Sequence, residues 1–281
     1  MKRRAFLIAG AGAAALLGLD LALTLRRPTS PALMTGVVWQ LHAGALDPRG
    51  DWDLLGARSL LLQWMVADGT AFVPGLGLPL IANAPNWQRI AREPWARSII
   101  AGLAGSFNEP TARRNVAELA ALSARIAAKP LPFEAAGFYF PVEADPTWSG
   151  VADLGRLLAP IARPLWVSAY DNSNVGPGAM ADWVSSWLPA DVGLFFQDGV
   201  GIHTRTPEAA RAYATALSER LGAHRFKLIA EAFRPAPGGS FRAATAAELR
   251  PQLQMYAGFD VFVFDGPHYL DRVMVQDLLA G

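Results

Sequence analysis

Short apolar runs recur along this chain, most of them closed by glycine, proline or a charged side chain, at 35–41, 58–64, 98–105, 137–143, 164–170, 192–198, 226–233 and 260–266. Runs this short, bounded in this way, predict buried strands rather than helices. Between them the period changes. Val116, Leu119, Ala120, Leu122 and Ile126 recur at steps of three and four with Arg and Glu opposite, which predicts an amphipathic helix over 109–129. Thr206, Pro207 and Gly222 supply an N-cap, a first turn and a stop for a helix over 206–222. A helix over 245–258 ends on Gly258, with Pro251 expected to kink or delay it, and the segment from Tyr269 onward closes the series.

Strand–helix alternation repeated through eight apolar runs predicts an α/β fold, a (β/α)8 TIM barrel, as a single domain over 31–281. A doubly wound open sheet is the competing arrangement, but no G-x-G-x-x-G follows the first strand. Four of the runs end on an acid: Glu143, Asp198, Glu231 and Asp265. In such barrels the C-terminal strand ends build the active site.

Strand alternation puts Tyr139, Pro141 and Glu143 on one face of the fourth strand, and Lys227, Ile229 and Glu231 on one face of the seventh. Inward Glu residues on strands four and seven suit retaining glycosidase chemistry, in which one protonates the leaving oxygen and the other attacks the anomeric carbon. Glu143 is assigned as acid/base and Glu231 as nucleophile, with Tyr139, Phe140 and Trp148 supplying the apolar setting that raises an acid's pKa. The structural alternative is a rim carboxylate paired with an arginine such as Arg234.

Other polar groups fall at the same rim. Gln40 and His42 follow strand one, Gln63 and Trp64 strand two, and Asn108 and Glu109 lie beyond strand three. Tyr170, Asp171 and Asn172 follow strand five, Gln197 and Asp198 strand six, and Asp265 and His268 strand eight. Amides and carboxylates that bridge hydroxyls beside aromatic faces are what a sugar subsite requires. Substrate binding is therefore expected of Gln40, His42, Gln63, Trp64, Trp148, Tyr170, Asn172, Gln197, Asp198 and Asp265, although each alone also serves as a turn residue.

Gln40, the L-L-Q-W run ending in Gln63 and Trp64, Glu143, Gln197-Asp198-Gly199 and Glu231 together resemble an uncharacterised bacterial family of glycosidase-like TIM barrels, over residues 35–270. The resemblance implies an extracytoplasmic carbohydrate-active protein with a polysaccharide or oligosaccharide substrate. The larger clan with Glu on strands four and seven has Asn immediately before the strand-four acid; here Val142 stands in that place.

Charge and composition narrow the classes. Five basic residues against Asp20 give residues 1–30 a charge of +4, so the remainder carries −3 within the chain's +1, and no basic block marks a nucleic-acid partner. The nine tryptophans fit either a core or sugar platforms, and the absence of cysteine excludes disulfides and thiolate chemistry. Lys2, Arg3 and Arg4 precede an apolar stretch from Ala5 to Leu25, and Arg3-Arg4-Ala5-Phe6-Leu7 resembles a twin-arginine export signal. Residues 1–30 are accordingly expected to direct export to the periplasm. No clear A-x-A site closes the segment, and Arg26-Arg27 follows it directly, so it is also a candidate inner-membrane anchor and the one expected membrane contact, despite the cost of Asp20. An ordinary secretory signal is the alternative. Machinery of polysaccharide synthesis or export is a candidate partner.

Rival classes use the same rim. His42, His203 and His268 with Asp198 or Asp265 would suit a metal-dependent hydrolase, but no H-x-H or H-E-x-x-H spacing supports it, and neither metal nor cofactor is expected. A non-catalytic polysaccharide-binding barrel would keep the aromatic and amide rim without a working acid pair.

Overall fold

The structure, a computed structural model, describes residues 32–281; the targeting segment predicted over 1–30 lies outside the described residues. Eight parallel strands close into a barrel: β1 Gly36–Trp39, β2 Ser59–Leu62, β3 Ser98–Gly102, β4 Ala135–Ala144, β5 Leu165–Ala169, β6 Val192–Gln197, β7 Phe226–Glu231 and β8 Val261–Phe264. Each strand pairs with its neighbours in chain order, and β8 closes on β1 through Gly36↔Phe262 and Val37↔Val263. The predicted (β/α)8 barrel is the observed fold.

The runs are apolar throughout because both faces are covered. Val38, Leu61, Ile100, Tyr139, Phe195, Ile229 and Phe262 point inward and form one cluster that fills the barrel. Alternate residues such as Val37, Leu60, Phe140, Val167, Leu194, Leu228 and Val263 belong to a second cluster outside it, under the helices. Tyr139 keeps its hydroxyl satisfied in this dry interior by donating to Ser168 Oγ at 2.7 Å. Lys227 occupies the other end, its Nζ 4.9 Å from the Trp166 ring centroid and 2.7 Å from Asp260. Gly193 makes room for that ring, since a Cβ there would lie 2.3 Å from it.

The crossovers are uneven. Only a 3-10 turn, Trp52–Leu55, joins β1 to β2, and β2 reaches β3 through the short strands Val66–Ala67 and Thr70–Ala71 and the helix Trp87–Ile90. Aromatic rings fill the space that longer helices would occupy: Trp52 meets Trp95 at 4.7 Å, and Trp39 meets Trp87 at 5.7 Å. Six of the nine tryptophans are buried, so most of them are core.

Elsewhere the caps act as expected. Thr206 accepts from the Ala209 N–H to start the helix Pro207–Leu221, and Thr245 with Glu248 forms a capping box for Ala246–Met255. Pro251 lies inside that second helix and does not delay its start. The helix expected over 109–129 is two, Glu109–Arg114 and Val116–Ala127, interrupted at Asn115.

Candidate active site

Counting two residues along each strand from the inward cluster reaches the mouth of the barrel. There Gln40, Gln63, Gln197 and Glu231 line a cavity of about 170 Å³, with Glu143 and Trp64 on the same wall. An adjoining cavity of about 260 Å³ shares Glu143, Gln197, Glu231 and Phe233 with it and adds Tyr170 and Asn172. Eight of the expected site residues are thus brought together: Gln40, Gln63, Trp64, Glu143, Tyr170, Asn172, Gln197 and Glu231.

Glu143 stands on an irregular stretch of β4. The register with β5 passes from Phe140↔Val167 to Ala144↔Ala169, so residues 141–143 oppose the single residue Ser168. The Glu143 backbone finds its partners in the helix after β3. Its N–H donates to Glu109 Oε1 at 3.0 Å, and its carbonyl accepts from Arg113 Nε at 3.1 Å and Nη2 at 3.0 Å. Glu109 and Arg113 are themselves ion-paired at 3.1 Å, four residues apart on one helix face. Arg113 also donates to the Tyr170 hydroxyl at 2.9 Å and lies 5.5 Å from both the Trp148 and Tyr170 ring centroids. This clamp leaves the Glu143 side chain free to face the cavity, where Gln197 Nε2 donates to Oε1 at 2.6 Å.

Glu231 ends β7 and is 5 % exposed. Its Oε2 accepts the N–H groups of Gly201 at 2.7 Å and Ile202 at 3.2 Å, from the loop after β6. Only glycine fits at 201, because a Cβ would stand 2.7 Å from Glu231 Cβ and 2.9 Å from Oε2. Behind Glu231 sits Asp198, fully buried. Asp198 accepts from the Glu231 N–H at 3.2 Å, the Val200 N–H at 3.2 Å, Gln252 Nε2 at 2.5 Å and the Tyr256 hydroxyl at 2.9 Å. With its oxygens committed in this way, Asp198 holds the Glu231 backbone and is not on the cavity wall. Arg234, considered above as an ion-pair partner, donates to the Glu231 carbonyl at 3.1 Å rather than to its carboxylate.

Among the described residues, neither Glu143 nor Glu231 is in an ion pair. Burial raises the Glu143 pKa against the opposing effects of Gln197 and Arg113. Burial and then the Asp198 carboxyl push Glu231 up to about 8, against the N–H groups of Ile202 and Gly201. Burial and then the Glu143 carboxyl bring Glu109 up to about 7, despite Arg113.

These shifts carry a stability prediction. Glu231 binds its proton more tightly folded than unfolded, so its contribution is fully present below pH 4.5 and is lost as pH rises through about 8. At about 1.36 kcal/mol per pKa unit the loss is at most about 5 kcal/mol. Glu231→Gln should therefore melt higher than the parent at pH 9, by roughly 5 °C or more, with a much smaller difference at pH 5. Thermal melts at the two pH values check this, and a difference independent of pH would contradict it.

Four expected residues lie off the cavity walls. Asp198 and Trp148 have the supporting positions described above. His42 accepts the Gly44 N–H on Nδ1 at 3.1 Å and stands edge-on to His268 at 6.5 Å. Asp265 is 4 % exposed, begins the short helix Gly266–Tyr269, has an Oδ1 without a partner and is pushed up to about 8 by burial. Among the described residues no three His, Cys, Asp or Glu side chains are grouped to hold a metal ion.

Trp64 is the one tryptophan among the described residues on these walls, and at 4 % exposure it offers no open platform. Arg113 and Arg205 were not anticipated from sequence. Arg205 donates to the carbonyls of Asp171, Gln197 and Asp198, tying the ends of β5 and β6 together beside the cavity.

A closed parallel barrel with a carboxylate-lined cavity at the C-terminal ends of its strands is the general plan of a TIM-barrel enzyme. No family model matches the chain, and no curated protein matches it in sequence. Solved structures do match. A GH18 chitinase from Pseudoalteromonas aurantia aligns over 86 % of this chain and 99 % of its own, with a TM-score of 0.50 and 12 % identity. The PgaB (BpsB) glycoside hydrolase domain from Bordetella bronchiseptica aligns over 83 % of this chain and 94 % of its own, with a TM-score of 0.46 and 13 % identity. At 12 % identity the likeness to the chitinase is one of fold.

Proposed function

We propose that this protein is an exported glycoside hydrolase that cleaves a β-linked polysaccharide with retention at the anomeric carbon. The observation that carries this reading is the convergence of Glu143 and Glu231, from the ends of β4 and β7, on one cavity, with no ion pair among the described residues to neutralise either. The barrel's likeness to a chitinase supports it at the level of fold.

Burial raises both carboxyls, and the Glu143 charge adds to the rise at Glu231; the working state holds one proton between them. In that state Glu143 protonates the glycosidic oxygen while ionised Glu231 attacks the anomeric carbon. Water, deprotonated by Glu143, then releases the sugar. The Gly201 and Ile202 N–H groups hold the attacking carboxylate, and the Gln40, Gln63 and Gln197 amides with Tyr170 and Asn172 position sugar hydroxyls. One observation, the upward shift of Glu231 to about 8, favours the exchanged assignment with Glu231 as the acid.

Purified protein incubated with β-linked glucan, chitin, xylan and mannan should shorten at least one of them, unaffected by chelator, and Glu143→Ala and Glu231→Ala should not. Chelator-sensitive cleavage would move the chemistry to a metal, and tight polymer binding without cleavage would leave a binding barrel. Export rests on the Arg3-Arg4 segment. Cell fractionation should find the protein retained inside once both arginines are lysine, and unchanged export would assign it to the general secretory route.

A further inference from the structure

We infer that the catalytic cleft continues over the barrel rim into a second sugar-binding cavity, so that the substrate is a chain bound on both sides of the bond that breaks and is cut internally. This rests on the glycosidase reading above and extends it to the length of the substrate.

The second cavity, of about 350 Å³, lies between the Val66–Ala67 strand and the helix Val116–Ala127. It shares Ser106 with the cavity that holds Glu143 and Glu231. At the junction stands Phe107, 51 % exposed and packed edge-on against Trp64 at 5.0 Å. A single exposed phenylalanine means little by itself. This one has an anchored backbone and a ring backed by Trp64. Its N–H donates to Asp68 Oδ2 at 3.2 Å, the Asp68 N–H donates to the Gly105 carbonyl at 3.2 Å, and the Asn108 N–H donates to Ser106 Oγ at 3.2 Å. Trp64 is fixed in turn, its indole N–H donating to the Leu41 carbonyl at 2.9 Å. The Phe107 ring is therefore an apolar surface, backed by Trp64, presented to solvent between two cavities.

The lining suits a pyranose chain. Val66, Ala104, Leu119 and Leu122 give an apolar floor for C–H faces, while Asp68, Asn115, Glu118 and Arg125 offer polar groups to hydroxyl edges. None of Asp68, Glu118 and Arg125 is in an ion pair among the described residues, so their charged groups are not consumed by one another. Beyond the carboxylates, in the adjoining cavity of about 260 Å³, lie Asn172, Thr204 and Ile202. The acid pair thus sits in the middle of a groove rather than at its closed end.

The test uses the double variant Glu118→Ala/Arg125→Ala, both exposed on a helix where alanine is well tolerated. Hydrolysis of aryl monoglycosides and disaccharides should be unchanged, while kcat/KM on the octasaccharide and the polymer falls about tenfold. Phe107→Ala should lower the long-substrate value as well, and the wild type should cut polymer internally, with viscosity falling before monosaccharide appears. Equal effects on short and long substrates, no effect on either, or release of monosaccharide from chain ends alone would overturn the inference while leaving the glycosidase reading intact. No cleavage of any β-linked ladder, from disaccharide to polymer, would overturn both.

Discussion

Glu231→Ala should abolish turnover of every substrate, by about 10⁴- to 10⁶-fold, whereas Glu143→Ala should retain activity on substrates whose leaving group needs no protonation. The two carboxyls face the same cavity, but their tasks differ. Loss of the nucleophile removes the covalent step itself. Loss of the acid removes proton donation, so aryl glycosides with acidic phenols should still load the enzyme and then stall for want of a base. External azide should release that stalled intermediate from Glu143→Ala as a glycosyl azide of the substrate's own configuration. With Glu231→Ala, azide should attack the sugar directly and give the opposite anomer. The reverse pattern of products would exchange the two roles, as the elevated pKa of Glu231 allows.

The second large effect is expected from a residue that does not touch the sugar. Arg113→Ala removes both side-chain donors to the Glu143 carbonyl and the counter-ion of Glu109, leaving Glu143 on an irregular strand held from this helix by its N–H to Glu109 alone. A displacement of the order of 1 Å at a reacting group costs about 10²-fold. Arg113→Ala should accordingly lower kcat by about 10- to 100-fold with little change in KM. Arg113→Lys should recover part of the loss, since an ammonium replaces the charge but not the planar fork that spans the carbonyl, Glu109 and Tyr170. Steady-state kinetics on both variants, with melting curves to confirm folding, checks this. A change in KM alone would instead place Arg113 in substrate binding.

The difference between these two residues shows what the sequence makes legible. Glu143 and Glu231 were visible because a strand buried on both faces has no reason to end on a carboxylate unless the strand end opens on something. The inward position of Ile229 then put Glu231 on the same face by simple alternation. Arg113 acts over thirty residues along the chain, across a register shift between β4 and β5 that no local pattern announces. Its trace in the sequence is faint: an acid and an arginine four residues apart, opening the helix that follows β3.

Asp198 illustrates the opposite case. It ends an apolar run just as Glu231 does, yet its side chain turns behind β7 onto Gln252 and Tyr256 instead of facing the mouth. The position of an acid at a strand end was readable; whether it faces ligand or scaffold depended on a helix some fifty residues later. The first two crossovers were unreadable for a related reason. Tryptophan packing replaces helical periodicity there, and tilted and edge-on aromatic pairs leave no repeat.

The central claim is that Glu143 and Glu231 act as a double-displacement pair, and the stereochemistry of the first product tests it most directly. Proton NMR of the reducing end formed in the first minutes of reaction on a β-linked oligosaccharide, before mutarotation, should show the β anomer. Initial release of the α anomer would mean a single displacement by water and would contradict the assignment of a carboxylate nucleophile in this cavity.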